Sequence, residues 1–256
     1  MEMETDSKIS TNKLLIDGDL LVWAETTAIE YTVLWDNDIH TLTCDFEEVK
    51  QRIDVRLVSL IERFDASSYT LAFSDSKSNF RNAINPDYKA NRKLLRRPLS
   101  YRDAVAYCHD VWHGVTWANL EADDVLGILS TQYLDSIVVS KDKDTRTVPC
   151  TWFNPSHDDE GPQVISKTEA DRFHLHQTLT GDRTDNYTGI PGCGPKTADK
   201  ILDSESTWGS VVRAYEKAGL TEADALLNAR CARICRHGDY TKTTGVVKPW
   251  NPQETP

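Results

Sequence analysis

Three short apolar runs end in acidic residues: KLLID at 13–17, YTLAFSD at 69–75 and SIVVSKD at 136–142. Each reads as a buried strand. Between them lie helical patterns, FEEVKQRIDVRLVSLIERF at 46–64, the stretch around YRDAVAYCHDVW, and NLEADDVLGILSTQYL at 119–134. Strand alternating with helix implies an α/β fold with a mostly parallel sheet and right-handed crossovers. In such sheets ligands sit beyond the carboxyl ends of the strands, and those ends are where the aspartates fall.

At 256 residues and 39% hydrophobic content, the chain can bury a substantial core, and its length suits one large domain followed by a smaller module. We place the first at 1–165 and the second at 166–256, where the composition turns polar and loop-like after HDDEGP at 157–162. There is no apolar run of about eighteen residues and no signal-peptide pattern at the start of the sequence, so we expect a soluble, cytoplasmic protein with no membrane partner. The six cysteines are widely spaced, which suits reduced thiols.

A net charge of −11 argues at first against a polyanionic partner. The distribution reverses this. Lys77, Arg81, Lys89, Arg92, Lys93, Arg96, Arg97 and Arg102 face the single acid Asp87 within 77–102, a local charge of +7. Such a block is a candidate phosphate-contacting strip, although a block of this kind taken alone is more often a solvated basic face. Asn85-Pro86 opens it and Pro98 interrupts it, so we expect two short helical pieces forming an arch over the mouth of the sheet. Within it, Tyr88 and Phe80 are candidates for stacking on an unpaired base. The pairs Trp112/Trp117 and Trp23/Trp35 are assigned to the core.

Nine acids fall into five groups: Asp17; Asp75; Glu121, Asp123 and Asp124; Asp142 and Asp144; Asp182 and Asp185. Glu121 and Asp124 lie one helical turn apart and can face a common centre, with Asp123 at its edge. Asp142 and Asp144 share one side of an extended segment, and Asp182 and Asp185 fit one face of a helix start. Any one group alone is an ordinary turn or cap acid; their joint occurrence after strands points to one pocket. Converging carboxylates raise one another's pKa unless cations compensate. An all-oxygen ligand set favours Mg²⁺ or Mn²⁺ over zinc. Two such ions about 4 Å apart can activate a water and stabilise the leaving oxygen of a phosphodiester.

GIPGCGPKTADK offers the glycines 189, 192 and 194 and a following helix N-terminus to an anion, with Lys196 and Lys200 on that helix. It resembles a helix-hairpin-helix phosphate grip, and equally an ordinary tight turn. A last helix is expected at 221–238, capped by Thr221 with Asp224 and closed by Gly238, with Cys231 and Cys235 on one face. His174 and His176 read as surface or core side chains.

Seven ordered segments together resemble the flap endonuclease and 5′-exonuclease superfamily, most closely the 5′-to-3′ exonucleases of short-tailed, podovirus-type bacteriophages. They are LIDGDLLVW (15–23), LAFSDSKSNFR (71–81), NPDYKANRK (85–93), LEADDVLG (120–127), SKDKDTRTVP (140–149), GDRTDNYTGIPGCGPKTA (181–198) and ARICR (232–236). The resemblance implies a PIN-like nuclease domain and a helix-three-turn-helix module that grips duplex DNA. It implies that Asp17, Asp75, Glu121, Asp123 and Asp124 form one metal cluster and Asp142, Asp144, Asp182 and Asp185 a second. Lys89 and Arg92 match the arch residues that contact the scissile phosphate, and Arg81, Tyr88, Lys93, Arg96 and Arg97 lie with them on the DNA side. The turn Gly189–Gly194 is similar to a potassium-assisted phosphate site. Expected substrates are DNA 5′ ends, nicks or flaps, with RNA–DNA hybrids as further substrates; if the chain is phage-encoded it works in the host cytoplasm. Rival readings are a flap endonuclease, a PIN-type ribonuclease, a non-catalytic DNA-binding protein and a small-phosphoester hydrolase.

Overall fold

The computed structural model describes residues 12–254. The central sheet is built from β1 (Lys13–Asp17), β4 (Ser68–Phe73), β5 (Val115–Thr116), β6 (Ser136–Val139), β7 (Cys150–Phe153) and β8 (Gln163–Ile165), in the order β5-β4-β1-β6-β7-β8. All neighbours are parallel except β7 and β8. β1 and β6 are nearly continuous apolar runs because both faces of the sheet are covered.

One face carries α1 (Gly18–Ile29), α2 (Phe46–Arg63) and α4 (Tyr101–Trp112), packed on Leu14, Ile16, Leu71, Phe73 and Val139. The other carries α5 (Ala122–Gln132), packed on Leu15, Ala72, Val138 and Trp152. Alternate residues of β1 thus supply opposite faces, as the pleat dictates. In α2 the buried Val49, Ile53, Leu57 and Leu60 recur at helical spacing, and Asp45 caps its N-terminus by accepting from Glu47 N at 2.9 Å.

Beyond the sheet, α6 (Lys167–Thr180), α7 (Pro195–Ser204), α8 (Trp208–Lys217) and α9 (Glu222–Ala232) enclose a separate core around Leu179, Leu202, Val211 and Tyr215. The chain then returns to the sheet, where Cys235 joins the α5 core. This return fixes the end of α9 at Ala232, six residues short of the expected Gly238. Arg233 turns extended (φ −73°, ψ 118°), and its carbonyl accepts from Arg81 Nη2 at 2.6 Å while Cys235 N–H donates to Asp124 Oδ1 at 3.0 Å. Cys231 and Cys235 therefore do not share a helix face. The return also passes so close to α5 that a Cβ at Gly127 would stand 2.4 Å from the Cys235 carbonyl oxygen. Gly127→Ala should therefore destabilise the fold by about 1–3 kcal/mol in urea unfolding, since backbone cannot move aside as a side chain can; an unchanged midpoint would refute this packing.

Two other expectations need correction. The first helical piece of the basic segment, α3 (Phe80–Ile84), precedes Asn85-Pro86, because Pro86 holds Asn85 extended (φ −135°, ψ 103°). The second is a 3₁₀ turn, Ala90–Leu94. An antiparallel hairpin, β2 (Tyr31–Trp35) and β3 (Ile39–Thr43), projects after α1, with Asn37 at φ 64° in its turn. Trp35 lies on it, 57% exposed, and Trp23 is 41% exposed with its ring edge-on to Tyr101, so this pair is not core. Trp117 stacks on Tyr240. Among the described residues no helix is long and apolar enough to cross a membrane.

Candidate active site

The carboxyl ends of β1 and β6 set the first acids. Asp17 ends β1, caps α1 through Leu20 N–H at 3.0 Å and accepts from Ser140 Oγ at 3.0 Å. Ser140 follows β6, and its hydroxyl also accepts from Asp142 N–H at 3.1 Å. Asp142 in turn caps a 3₁₀ turn by accepting from Asp144 N–H at 2.8 Å, while Asp144 accepts from Gln177 of α6 at 2.6 Å. Two short strands after α6, β9 (Gly181–Asp182) and β10 (Tyr187–Thr188), carry the last pair. Asp182 is buried and accepts from Thr184 and Asp185 N–H. Gly181 is required there: its φ is +67° and an added Cβ would sit 2.2 Å from Gly189 N.

These groups feel one another. Burial, then Asp19, and also Asp142 push the Asp17 carboxyl up to about 7. Burial, then Asp17 and Asp142 push Asp123 far above the usual carboxylate range, and one of its oxygens, Oδ1, is buried without a hydrogen-bond partner. Asp142 is raised by burial and by Asp185. Asp144 rises to about 7 through burial and Asp142, with Asp182 and Asp185 adding to it. Asp17, Asp123, Asp142, Asp144, Asp182 and Asp185 thus form one electrostatic unit beyond the carboxyl ends of the central strands.

Cations stand among them. Lys143 reaches Asp182 at 3.1 Å, Arg92 reaches Asp185 at 2.5 Å, and Lys89 is bonded to Glu121 and lies 3.5 Å from Asp185. Against the opposing effect of burial, Lys89 and Arg81 hold Glu121 down at about 2. With these cations interposed, no three acidic, histidine or cysteine side chains among the described residues are gathered in a ready metal-holding arrangement. The donor chemistry nevertheless fits hard divalent ions: the oxygens are carboxylate, several are raised by burial and then by one another, and the Asp123 oxygen lacks a partner.

Two expected ligands stand apart. Asp75 is spent on a turn, accepting from Lys77 N–H, Ser78 Oγ and Asn119 N–H, each at 2.9 Å. Asp124 is fully buried and accepts from Arg81 Nη1 at 2.6 Å and Nη2 at 2.8 Å besides the Cys235 N–H. It is the partner of a buried arginine and has no free face for a metal. Asp19, two residues after Asp17 in LIDGD, is absent from the expected ligands although it faces the same strand ends; it accepts from Ser74 N–H and Tyr101 Oη at 2.9 Å each.

The expected DNA side changes accordingly. Arg81 is 2% exposed and Tyr88 5% exposed, so neither meets a nucleic acid from the surface. Arg96 is exposed but paired with Glu30 at 2.7 Å, and Arg97 lies over the Tyr101 ring. The side chain of Lys93 lies outside the described ones. Around the start of α7, Gly192, Gly194, Lys196 and Lys200 are exposed, Gly192 has φ +77°, Gly194 caps α7, and Gly189 is buried against the Leu179 carbonyl. His174 is buried, bonded to the Ala229 carbonyl through Nε2, and pushed down to about 3 by desolvation and Arg233.

Residues 14–152 match the family described as 5′-3′ exonuclease, N-terminal resolvase-like domain. The exonuclease of Escherichia phage T7 is 28% identical, with 93% of each chain covered. A solved structure of T5 5′-exonuclease with bound divalent zinc ions superposes with a TM-score of 0.66 at 17% identity, covering 86% of this chain and 89% of that one. A bacteriophage T5 flap endonuclease in a pseudo-enzyme–product complex with DNA and metal ions superposes with a TM-score of 0.61 at 16% identity, covering 86% and 93%. These two share the fold.

Proposed function

The chain belongs to the 5′-3′ exonuclease family, and from that premise we propose that it hydrolyses DNA phosphodiesters from 5′ ends with divalent cations held by the carboxylates beyond the carboxyl ends of the central strands. The observation that carries this reading is the single unit formed by Asp17, Asp123, Asp142, Asp144, Asp182 and Asp185, with Glu121 and Lys89 beside it. One set of ligands comprises Asp17, Glu121 and Asp123, and a second Asp142, Asp144, Asp182 and Asp185. These carboxylates would hold Mg²⁺ or Mn²⁺, which when bound would supply an activated water and stabilisation of the leaving oxygen. The sheet and α5 hold the carboxylates in place. Lys89 and Arg92 exchange their carboxylate partners for the scissile phosphate and offset the charge it gains in the transition state. The products carry 5′-phosphates.

The helices from α6 onward form a duplex-gripping module, with the turn Gly189–Gly194 and the start of α7 meeting a phosphate, assisted by K⁺. RNA in hybrids and 5′ flaps are further substrates. Labelled duplex, nicked, flapped and hybrid substrates incubated with Mg²⁺ or Mn²⁺, with product lengths read from each end, test the proposal. Stepwise release from the 5′ end is expected, and degradation from the 3′ end alone would overturn it.

Lys196→Ala combined with Lys200→Ala should weaken duplex binding and flatten the dependence of log Kd on log salt by about 0.9 for each phosphate that is no longer neutralised. Fluorescence anisotropy across a KCl series measures this; an unchanged slope would remove the module from the DNA interface.

Metal and proton compete at this site. The Asp17 and Asp144 carboxyls sit near 3.8 in an unfolded chain and about 7 in the folded one. The folded chain therefore holds protons that the unfolded chain releases, and stability is lost as pH rises from about 4 to about 7. Divalent ions replace those protons. Mg²⁺ should raise the Tm clearly near pH 8 and little near pH 5; equal increments would contradict the assignment.

A further inference from the structure

The Tyr88 hydroxyl lies 2.9 Å from Glu121 Oε2 and 2.8 Å from Asp185 Oδ2. Those carboxylates come from distant stretches, Glu121 from the start of α5 and Asp185 from the turn between β9 and β10. The ring is buried and stacked on Tyr187, with centroids 6.5 Å apart and planes 22° apart, and it packs with Cys231 and Ala232. So placed, it cannot take a DNA base.

The segment that carries Tyr88 is fastened along its length to the 182–186 turn. Lys89 N–H donates to the Asp185 carbonyl at 2.8 Å, Asn186 Nδ2 to the Asp87 carbonyl at 2.7 Å, Asn91 Nδ2 to the Arg183 carbonyl at 3.1 Å, and Arg92 Nε to the Thr184 carbonyl at 3.3 Å. The hydroxyl is thus delivered by a rigid strap rather than by a free loop.

We infer that Tyr88 is a positioning residue whose hydroxyl sets the separation between Glu121 and Asp185, one carboxylate from each proposed ligand set. The inference rests on the two-ion reading above. Two carboxylates that close repel unless something bridges them. Lys89 supplies a positive charge at the same point, but it is the group a scissile phosphate draws away. The buried phenol stays. Its single proton is shared between the two oxygens that approach it, Glu121 Oε2 and Asp185 Oδ2, and in this way it links the start of α5 to the 182–186 turn while leaving their remaining oxygens for cations.

Tyr88→Phe keeps the ring and its stack and removes only the bridge. Mn²⁺ titrated calorimetrically into the DNA-free variant should bind about tenfold more weakly than to the wild type, the scale on which groups behind metal ligands act. The kcat should fall by a similar factor with the KM for DNA unchanged, and excess Mg²⁺ should restore part of it. Asn91→Ala, which frees the strap from the Arg183 and Thr184 carbonyls without touching a carboxylate, should move Mn²⁺ affinity in the same direction by less, and it decides the matter should Tyr88→Phe fail to fold. Unchanged Mn²⁺ affinity in the variants would overturn the inference, as would loss of duplex affinity in Ca²⁺ with Mn²⁺ binding intact, which would make Tyr88 a DNA-binding side chain. A wild type that neither binds Mn²⁺ nor cuts DNA would sink the two-ion reading itself, an outcome distinct from wild-type binding that the variants leave unaltered.

Discussion

Asp142→Ala should lower Mg²⁺-dependent cleavage by on the order of a thousandfold or more while duplex binding in Ca²⁺ stays close to that of the wild type. Asp142 is the acid felt by Asp17, Asp123 and Asp144, so it stands between the two proposed ligand sets. Its removal takes away an ion ligand and leaves the DNA-binding surface intact. It also relieves repulsion among the neighbouring carboxyls, which offsets the lost cap at Asp144 N–H: without metal the variant should stay within about 1 kcal/mol of the wild type. The combination of lost turnover, kept affinity and kept stability separates a ligand from a structural acid. Normal cleavage by this variant in Mg²⁺ would refute the site assignment.

Arg81→Met should be the most destabilising single change, by about 3–5 kcal/mol, because it leaves a buried carboxylate without its cation. Arg81 holds Asp124 through two hydrogen bonds, reaches Glu121 at 3.1 Å, and donates to the carbonyls of Cys231 and Arg233 at 3.0 and 2.6 Å. One guanidinium therefore joins the basic segment, the start of α5 and the end of α9. Replacing both partners, Arg81→Met with Asp124→Leu, removes the orphaned charge and should recover much of the loss in urea unfolding. If the single variant unfolds like the wild type, the pair carries no such weight.

The strands and main helices were legible because apolar runs and helical spacing are local patterns. The acids at strand ends were legible for the same reason: Asp17 and Asp142 follow β1 and β6 directly. What local pattern could not reveal was which acids already had partners. Asp124 looks like Glu121 and Asp123 in LEADD, yet its cation lies 43 residues away. The same distance hid Arg81, which as a sequence feature is one more charge in a basic block. Tyr88 escapes sequence reasoning for the same cause, since its burial depends on Tyr187 and Ala232, about a hundred or more residues further along the chain. The overextended last helix failed on tertiary ground as well, where the buried Arg81–Asp124 pair draws Arg233 and Cys235 out of helical geometry. The hairpin YTVLWDNDIHTLT did carry a signal in its alternation around Asn37, and so did Asp19 beside Asp17.

In the proposed reaction Glu121, Asp182 and Asp185 exchange their lysine and arginine partners for divalent cations shared with the neighbouring aspartates. Anomalous scattering from crystals grown with Mn²⁺ tests it most directly. Two peaks are expected, one beside Asp17 and Asp123 and one beside Asp144, Asp182 and Asp185, with Lys89 and Lys143 withdrawn. Manganese bound elsewhere, with Lys89 still on Glu121 and Lys143 still on Asp182, would contradict it.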